Sequence, residues 1–509
     1  MGRRKIGAFT ELSHFTVHPP SVQLLPLVFS ERRRVVVLGE IDIGATDAIH
    51  VGMLDPQDTA TIHLLHERWM REIIPVHLTD WEISIALDEG YGGRGDLGDG
   101  HIVDSNKPGV VHDSPVPDLI DDLLLRAVAT GASDIHVECY PRDVDVRFRI
   151  DGVLHQLPTP ISPSNVAEVV SRIKVLAKLN IAEHRVPQDG RFRIVVTDGM
   201  RRDRVDFRVS TLPGPGGEDA VLRVLNAKTG LLPIEKLGML PDHADTFERI
   251  IKNPEGAVFV TGPTGSGKTT TLYSALTRVN DGRRKILTAE DPIEYQLDKV
   301  NQKQVGPNLT MARLARTFLR QDPDVILVGE VRDAETAVMV NKAAATGHLV
   351  LTTLHTGDSF GVVPRLETLG LERDQIAENL LAAVSQRLVR RICPDCAEEA
   401  KPSPEAARVL STLIRGQRFQ KGRGCEHCYD TGYRGRTGIY EILVVDEALQ
   451  DAISHGESIT SLRLQAREQG FRTLVEDGLS KARDGLTSLD EILRVLPYRQ
   501  IKGVLKELA

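Results

Sequence analysis

The segment Gly262-Pro263-Thr264-Gly265-Ser266-Gly267-Lys268-Thr269-Thr270 constrains this chain more than any other stretch. It fits G-x-x-x-x-G-K-[ST] through Gly262, Gly267, Lys268 and Thr269, follows the apolar run Ala257 to Thr261, and opens a helical pattern from Lys268 to Val279. Strand, glycine loop and helix in that order form a phosphate cradle. Glycines remove the Cβ atoms that would hold backbone N–H groups away from phosphate oxygens, and the helix N-terminus adds positive dipole. In such a loop the lysine reaches the β and γ phosphates and the hydroxyl after it, here that of Thr269, ligates Mg²⁺. Taken alone, the loop implies a nucleoside triphosphate and nothing finer.

Around it the short apolar runs AVFVT, KILTA, DVILVGE and HLVLTTL alternate with helical stretches at Lys268 to Val279 and Glu335 to Ala345, the pattern of parallel βαβ units. Groups that hold metal or polarise water gather at the carboxyl ends of such strands. Three places are expected there. Glu330 follows DVILV, Glu290, Asp291 and Glu294 follow KILTA, and His348 and His355 bracket LVLTTL, where they are candidates to contact the γ-phosphate.

A chain of 509 residues exceeds one hydrophobic core and predicts three or four domains. The first 90 residues read as a small α/β domain, with strands near Arg34 to Gly39, Ile49 to Leu54 and Ile73 to Leu78 and a helix from Thr59 to Met70. Residues 91–117, rich in Gly, Asp, Pro and Ser, read as a flexible linker. Beyond them a helix is expected over Leu119 to Thr130. The strands DVDVRFRI and VDFRVS then alternate apolar residues with Arg147, Arg149 and Arg208, setting arginines in rows on one wet face. Solvated arginines on half-buried strands are the plain reading of such rows.

The net charge of −8, without a long basic run, argues against nucleic acid as a direct partner and so against a DNA motor. Basic Met1 to Lys5 precedes no apolar core, and no run approaches the roughly 20 apolar residues of a membrane span. A cytoplasmic protein is expected, peripheral at the inner membrane only through partners.

Cys393, Cys396, Cys425 and Cys428 form two C-x-x-C pairs with 28 residues between them. Four thiolates in two knuckles suit a closed tetrahedral metal site that is structural. A redox dithiol is the alternative, though no thioredoxin-like surroundings accompany either pair. Cys139 is expected in a core.

Several blocks in order resemble the ATPases of type II secretion and type IV pilus assembly: GASDIHVECYPRDVDVRFRIDG (131–152), PQDGRFR (187–193), GPTGSGKTTTLY (262–273), LTAEDPIEY (287–295), LRQDPDVILVGEVRD (319–333), TGHLVLTTLHTGD (346–358), QRLVRRICPDC (386–396) and YRGRTGIYE (433–441). The resemblance, greater to the type II secretion ATPases than to the pilus ones, implies an α/β architecture. A RecA-like P-loop domain at 235–509 carries a tetracysteine zinc subdomain at 390–436 and a helical part at 437–509. A PAS-like domain at 118–228 and a platform-docking domain at 1–90 precede it. It further implies ATP, Mg²⁺ and Zn²⁺, a homohexamer, and inner-membrane platform proteins as partners of the N-terminal domain. Glu330 matches the Walker B glutamate, Glu290 and Glu294 the Asp box, and His348 and His355 the His box. Arg208 and Arg223 match arginine fingers for the γ-phosphate, with Arg147 and Arg149 as further candidates. Relatives commonly place Asn where Gly357 stands. Residues 1–30 lack the leucine pattern of cyclic-di-GMP-binding relatives. The activity implied is ATP hydrolysis that drives pseudopilus assembly and protein export. Pilus extension is the alternative, ahead of a DNA translocase or a non-hydrolysing scaffold.

Overall fold

The computed structural model describes residues 17–22, 24–25, 29–30, 33–39, 48–79, 82–83, 86–87, 100–104, 116–198, 201–225 and 231–507. Most of the 91–117 segment, and much of residues 1–30 where the leucine pattern was sought, lie outside them. The chain divides into two units, one of residues 1–102 with 192–195, the other of the remainder.

In the first unit, β1 (Val35–Leu38), β2 (Ile49–Met53) and β3 (Ile73–His77) form a sheet in that order, with β1–β2 antiparallel and β2–β3 parallel. β1 is buried along its whole length because apolar side chains cover both faces, Val35 and Val37 packing with Leu65 and Val36 and Leu38 with Ile83. The helix Thr59–Trp69 starts where the Asp58 carboxylate accepts the Thr61 N–H. One part of the expected linker is ordered: Gly100–Asp104 is a strand, β4, at the edge of a larger sheet.

The strands β5 (Asp134–Cys139), β6 (Val144–Ile150), β7 (Val153–Gln156), β8 (Gln188–Asp198), β9 (Arg201–Gly214) and β10 (Gly217–Leu225) belong to that seven-stranded sheet. Within it β9, β10, β5, β6 and β7 are successive antiparallel neighbours. Ile135, Val137, Val146, Phe148, Phe207 and Leu222 are buried, and the helix Val166–Leu176 packs against β10 and against the helix Val116–Ala129. These elements occupy the segment 118–228, for which a PAS-like domain is expected. Cys139 is buried, its thiol pushed up to about 11 by burial and by Asp219.

The second large sheet has the order β13-β12-β14-β15-β11-β16-β19. It consists of β11 (Gly256–Thr261), β12 (Ile286–Glu290), β13 (Asn301–Gln304), β14 (Val325–Val328), β15 (Leu349–Leu354), β16 (Leu380–Ile392) and β19 (Tyr433–Val444), parallel except for β19. The central strands β11, β12, β14 and β15 are apolar and buried almost throughout because both their faces are covered. Phe259, Ile326 and Val350 pack with the helix Ala334–Ala344, and Val258, Val260 and Leu351 pack with the helix Lys268–Val279. Pairing of β16 with β11 ends at Ser385, while its pairing with β19 continues to Ile392 opposite Tyr433, so the two strands run on as a ribbon. Between them the chain forms β17 (Ala397–Ala400) and β18 (Phe419–Gly422) and carries the cysteines. The fold is α/β, with a RecA-like sheet as its main body.

Candidate nucleotide site and tetracysteine centre

β11 delivers Gly262, whose φ of 146° lies in the range that favours glycine; a Cβ there would sit 2.6 Å from the Gln386 carbonyl oxygen. The loop is thus pressed against β16. Gln386, fully buried, donates from Nε2 to the Ser266 carbonyl at 2.7 Å and holds the loop from behind. Lys268 opens the helix and donates to the carbonyls of Gly262 (2.8 Å) and Pro263 (3.2 Å), which suspends its ammonium over the loop. Burial lowers the Lys268 pKa, opposed by the charge of Glu330 and assisted by that of Arg387. The hydroxyls of Thr261 and Ser266 are buried without a protein partner, and Thr269 is exposed at the first helical turn. These hydroxyls, with Lys268, fit a triphosphate and its Mg²⁺.

Glu330, just past β14, accepts from Arg332 (2.8 Å) and lies 3.0 Å from His355 Nε2 just past β15. Both contacts lie at the carboxyl edge of the sheet, on the side where β11 enters the loop. His348 does not. It precedes β15, where Leu349 is level with Gly256 at the start of β11, and its Nδ1 lies 3.0 Å from the Ala343 carbonyl oxygen. The strand length puts it about 20 Å from the loop end. Of the two histidines expected as candidates to contact a γ-phosphate, only His355 lies at the strand end where the 262–270 loop begins; His348 is at the opposite end of β15.

Glu290 is buried and its oxygens are engaged, by the Tyr273 hydroxyl, by Thr288 Oγ1 at 2.5 Å and by Gln302 Nε2 at 3.0 Å. Burial and that carboxylate raise the pKa of Tyr273. Glu294 is the more open of the two and forms a two-point ion pair with Arg208, at 3.1 and 3.4 Å. The sheet register sets Arg208, Arg223, Asp134 and Arg149 in one row across β9, β10, β5 and β6. Arg223 bonds Asp134 at 3.1 Å, Arg149 lies 3.8 Å from the same carboxylate, and Arg147 pairs with Glu138. Of the four arginines, only Arg208 is in contact with the RecA-like part through a side-chain ion pair.

Sequence reasoning assigned no role to Gln386, Arg387 or Tyr273. Arg387 is buried and donates to the carbonyls of Gln386 and Gly357, both at 2.8 Å. The backbone of Gly357, not a side chain, therefore serves this contact, and a Cβ there would meet nothing within 4 Å. The block QRLVRR held the signal, but its partners are distant in sequence.

The four cysteine sulfurs lie within 4.8 Å of one another, with Cys393–Cys425 and Cys396–Cys428 at 3.9 Å and Cys425–Cys428 at 3.7 Å. Zinc–thiolate bonds of about 2.3 Å place sulfurs about 3.8 Å apart along tetrahedral edges. The N–H groups of Cys425 (3.2 Å) and Gly432 (3.3 Å) point at Cys428 Sγ; burial opposes its ionisation, but these donors outweigh it and bring the thiol down to about 7. The donor set fits zinc, with no ligand position left for substrate.

A model of type II/IV secretion system proteins matches residues 110–494, and one of the MshEN domain matches residues 8–97. The type II secretion system ATPase E of Vibrio cholerae is 46% identical over 388 residues, 75% of this chain and 76% of that protein. The chain belongs to the type II/IV secretion system protein family. The type IV pilus assembly ATPase PilB of Thermus thermophilus is 45% identical over 75% of this chain, but over only 43% of its own length. Among solved structures, the Legionella pneumophila ATPase DotB shares the fold, with a TM-score of 0.56 at 23% identity over 77% of this chain and 98% of that one. Among the described residues no helix is long and apolar enough to cross a membrane.

Proposed function

We propose that this family member hydrolyses ATP at the 262–270 loop and uses the energy to assemble a pseudopilus for type II secretion. The observation that carries the reading is Glu330 at the carboxyl edge of the sheet, tied to His355 and Arg332 and acting electrostatically on Lys268. Lys268 and the loop amides bind and orient the β and γ phosphates, and Thr269 holds Mg²⁺, which when bound neutralises phosphate charge. Glu330 takes the proton of the attacking water and His355 orients the carboxylate. Glu290 acts at one remove, holding Tyr273 and the 290–295 segment, while Glu294 hands Arg208 to the γ-phosphate as ATP enters. Arg223 follows from Asp134. Arg147, paired with Glu138, and His348, at the far strand end, do not take part in the chemistry.

Residues 1–90 form the platform-docking domain and 91–117 connect it onward, with 118–228 the PAS-like domain and 235–509 the motor. The chain works as a homohexamer, cytoplasmic and held at the inner membrane by platform proteins. Pilus extension is the second reading, favoured by the likeness to PilB. Phosphate release by the purified protein and by Glu330→Gln tests the chemistry: equal rates would sink it. Restoration of protein export, rather than of pili, in cells lacking their own secretion ATPase tests the cellular role.

A further inference from the structure

The ribbon of β16 and β19 connects the tetracysteine centre to the PAS-like domain. At the β6–β7 turn Asp151 accepts the Gly435 N–H at 2.8 Å and pairs with Arg436 at 3.4 Å, joining residues 284 apart in sequence. Gly435 is three residues beyond Gly432, whose N–H points at Cys428 Sγ and whose carbonyl accepts the Cys393 N–H at 3.0 Å. Arg434, between them, bonds Asp395 at 3.3 Å inside the first C-x-x-C pair. Arg390 on the facing strand stacks 4.0 Å over the Tyr433 ring and is fixed by Glu491 at 2.9 Å. Burial and the charge of Arg390 both lower the pKa of His155 on β7.

On the other side of the turn, Asp151 is two residues from Arg149, which belongs to the cross-strand row of Arg223 and Arg208. Arg149 also donates to the Gly152 carbonyl at 3.2 Å. Two hydrogen bonds and two short stretches of chain, Gly432 to Gly435 and Arg149 to Asp151, thus link cysteine sulfur to the arginine row.

We infer that Asp151 is a positioning residue for ATP hydrolysis, a latch through which the metal-loaded tetracysteine centre holds the arginine-bearing sheet against the motor domain. Its catalytic consequence rests on the function proposed above; its structural consequence does not. Cys393, Cys396, Cys425 and Cys428 would hold zinc and so fix the Cys428–Gly432 turn, that turn sets the Gly435 N–H and Arg436, and these hold the β6–β7 turn in register. Without metal, the four thiols lose their common centre and the latch loosens.

Hydrogen exchange without nucleotide tests this on the full chain. Stripping zinc with a chelator should speed exchange over residues 147–156 by roughly tenfold, as loss of one charge-assisted hydrogen bond would. The helix Lys268–Val279 should be unaffected. Asp151→Gly, which suits the positive φ of 49° at this position, should speed the same segment while zinc content stays at the parent level. Zinc stripping should then add nothing. In turnover, Asp151→Gly should lower kcat several-fold with KM for ATP nearly unchanged, and Asp151→Asn, which keeps an acceptor for Gly435, should recover part of the loss. Unchanged exchange at 147–156 after metal loss, or acceleration spread equally through Lys268–Val279, overturns the latch. A parent protein without ATPase activity would overturn the proposed function and leave the exchange result to stand or fall separately.

Discussion

Glu330 and Glu290 are two carboxylates at neighbouring strand ends in different environments. Glu290 is enclosed by hydroxyl and amide donors, whereas Glu330 shares its oxygens with His355 and the exposed Arg332. Glu330→Gln is expected to cut phosphate release by roughly 10² to 10⁴ while leaving nucleotide affinity close to the parent value. A fluorescent ATP analogue reads the second quantity. Gly262→Ala should act in the opposite way, weakening binding first, since the added methyl would meet the Gln386 carbonyl and strain the backbone. Nucleotide titration of that variant, with its melting temperature as a control for folding, checks this.

At the scale of elements, the helix Leu489–Val495 is fastened to β16 by Glu491, which accepts from the Arg390 N–H at 2.8 Å and from the guanidinium groups of Arg390 and Arg494. Burial alone would raise the Glu491 pKa, but the Arg494 and Arg390 bonds outweigh it and hold the group below the usual carboxylate range. A carboxyl lowered by folding adds stability above its unfolded pKa of about 4.3, and that stability is lost as pH falls through the folded value. Glu491→Gln should therefore cost about 3 to 5 kcal/mol at neutral pH and flatten the acid side of the stability profile. Urea unfolding between pH 3 and pH 7, with steps of about one unit, reads both effects. The tetracysteine element makes its own prediction. Cys396→Ser should lower zinc content and melt β17 and β18 before the large sheet, because no other described cluster of metal-ligating side chains is available. Metal analysis with hydrogen exchange follows the two events.

At the largest scale, the arginine row and the 262–270 loop are attached to different sheets, and the Arg208–Glu294 pair joins the row to the segment that follows β12. If Arg208 transfers to the γ-phosphate, Arg208→Ala should reduce turnover by roughly 10³ or more without altering zinc content. If the chain works as the proposed homohexamer, turnover per chain should also rise with protein concentration, a dependence that sedimentation and phosphate release measured on the same samples would expose.

The phosphate loop, the strands around it and the two cysteine pairs were legible because each depends on neighbours in sequence. Consecutive amides make a cradle, apolar runs make buried strands, and two residues between cysteines make a knuckle. The family's order of blocks added the expectation of a role for Glu330 and for Arg208. What sequence order could not supply was which side chains meet after folding: Gln386 reaches Ser266 across 120 residues, Asp151 reaches Gly435 across 284, and Asp134 gathers two arginines from different strands. His348 and His355 look equivalent as brackets of one strand, yet a strand has two ends and the parallel register puts only one at the end where the 262–270 loop begins. Local chemistry therefore determined what the phosphate and metal sites are made of. Tertiary structure decided which residues serve them, because those contacts depend on chain segments whose meeting only the packed core enforces.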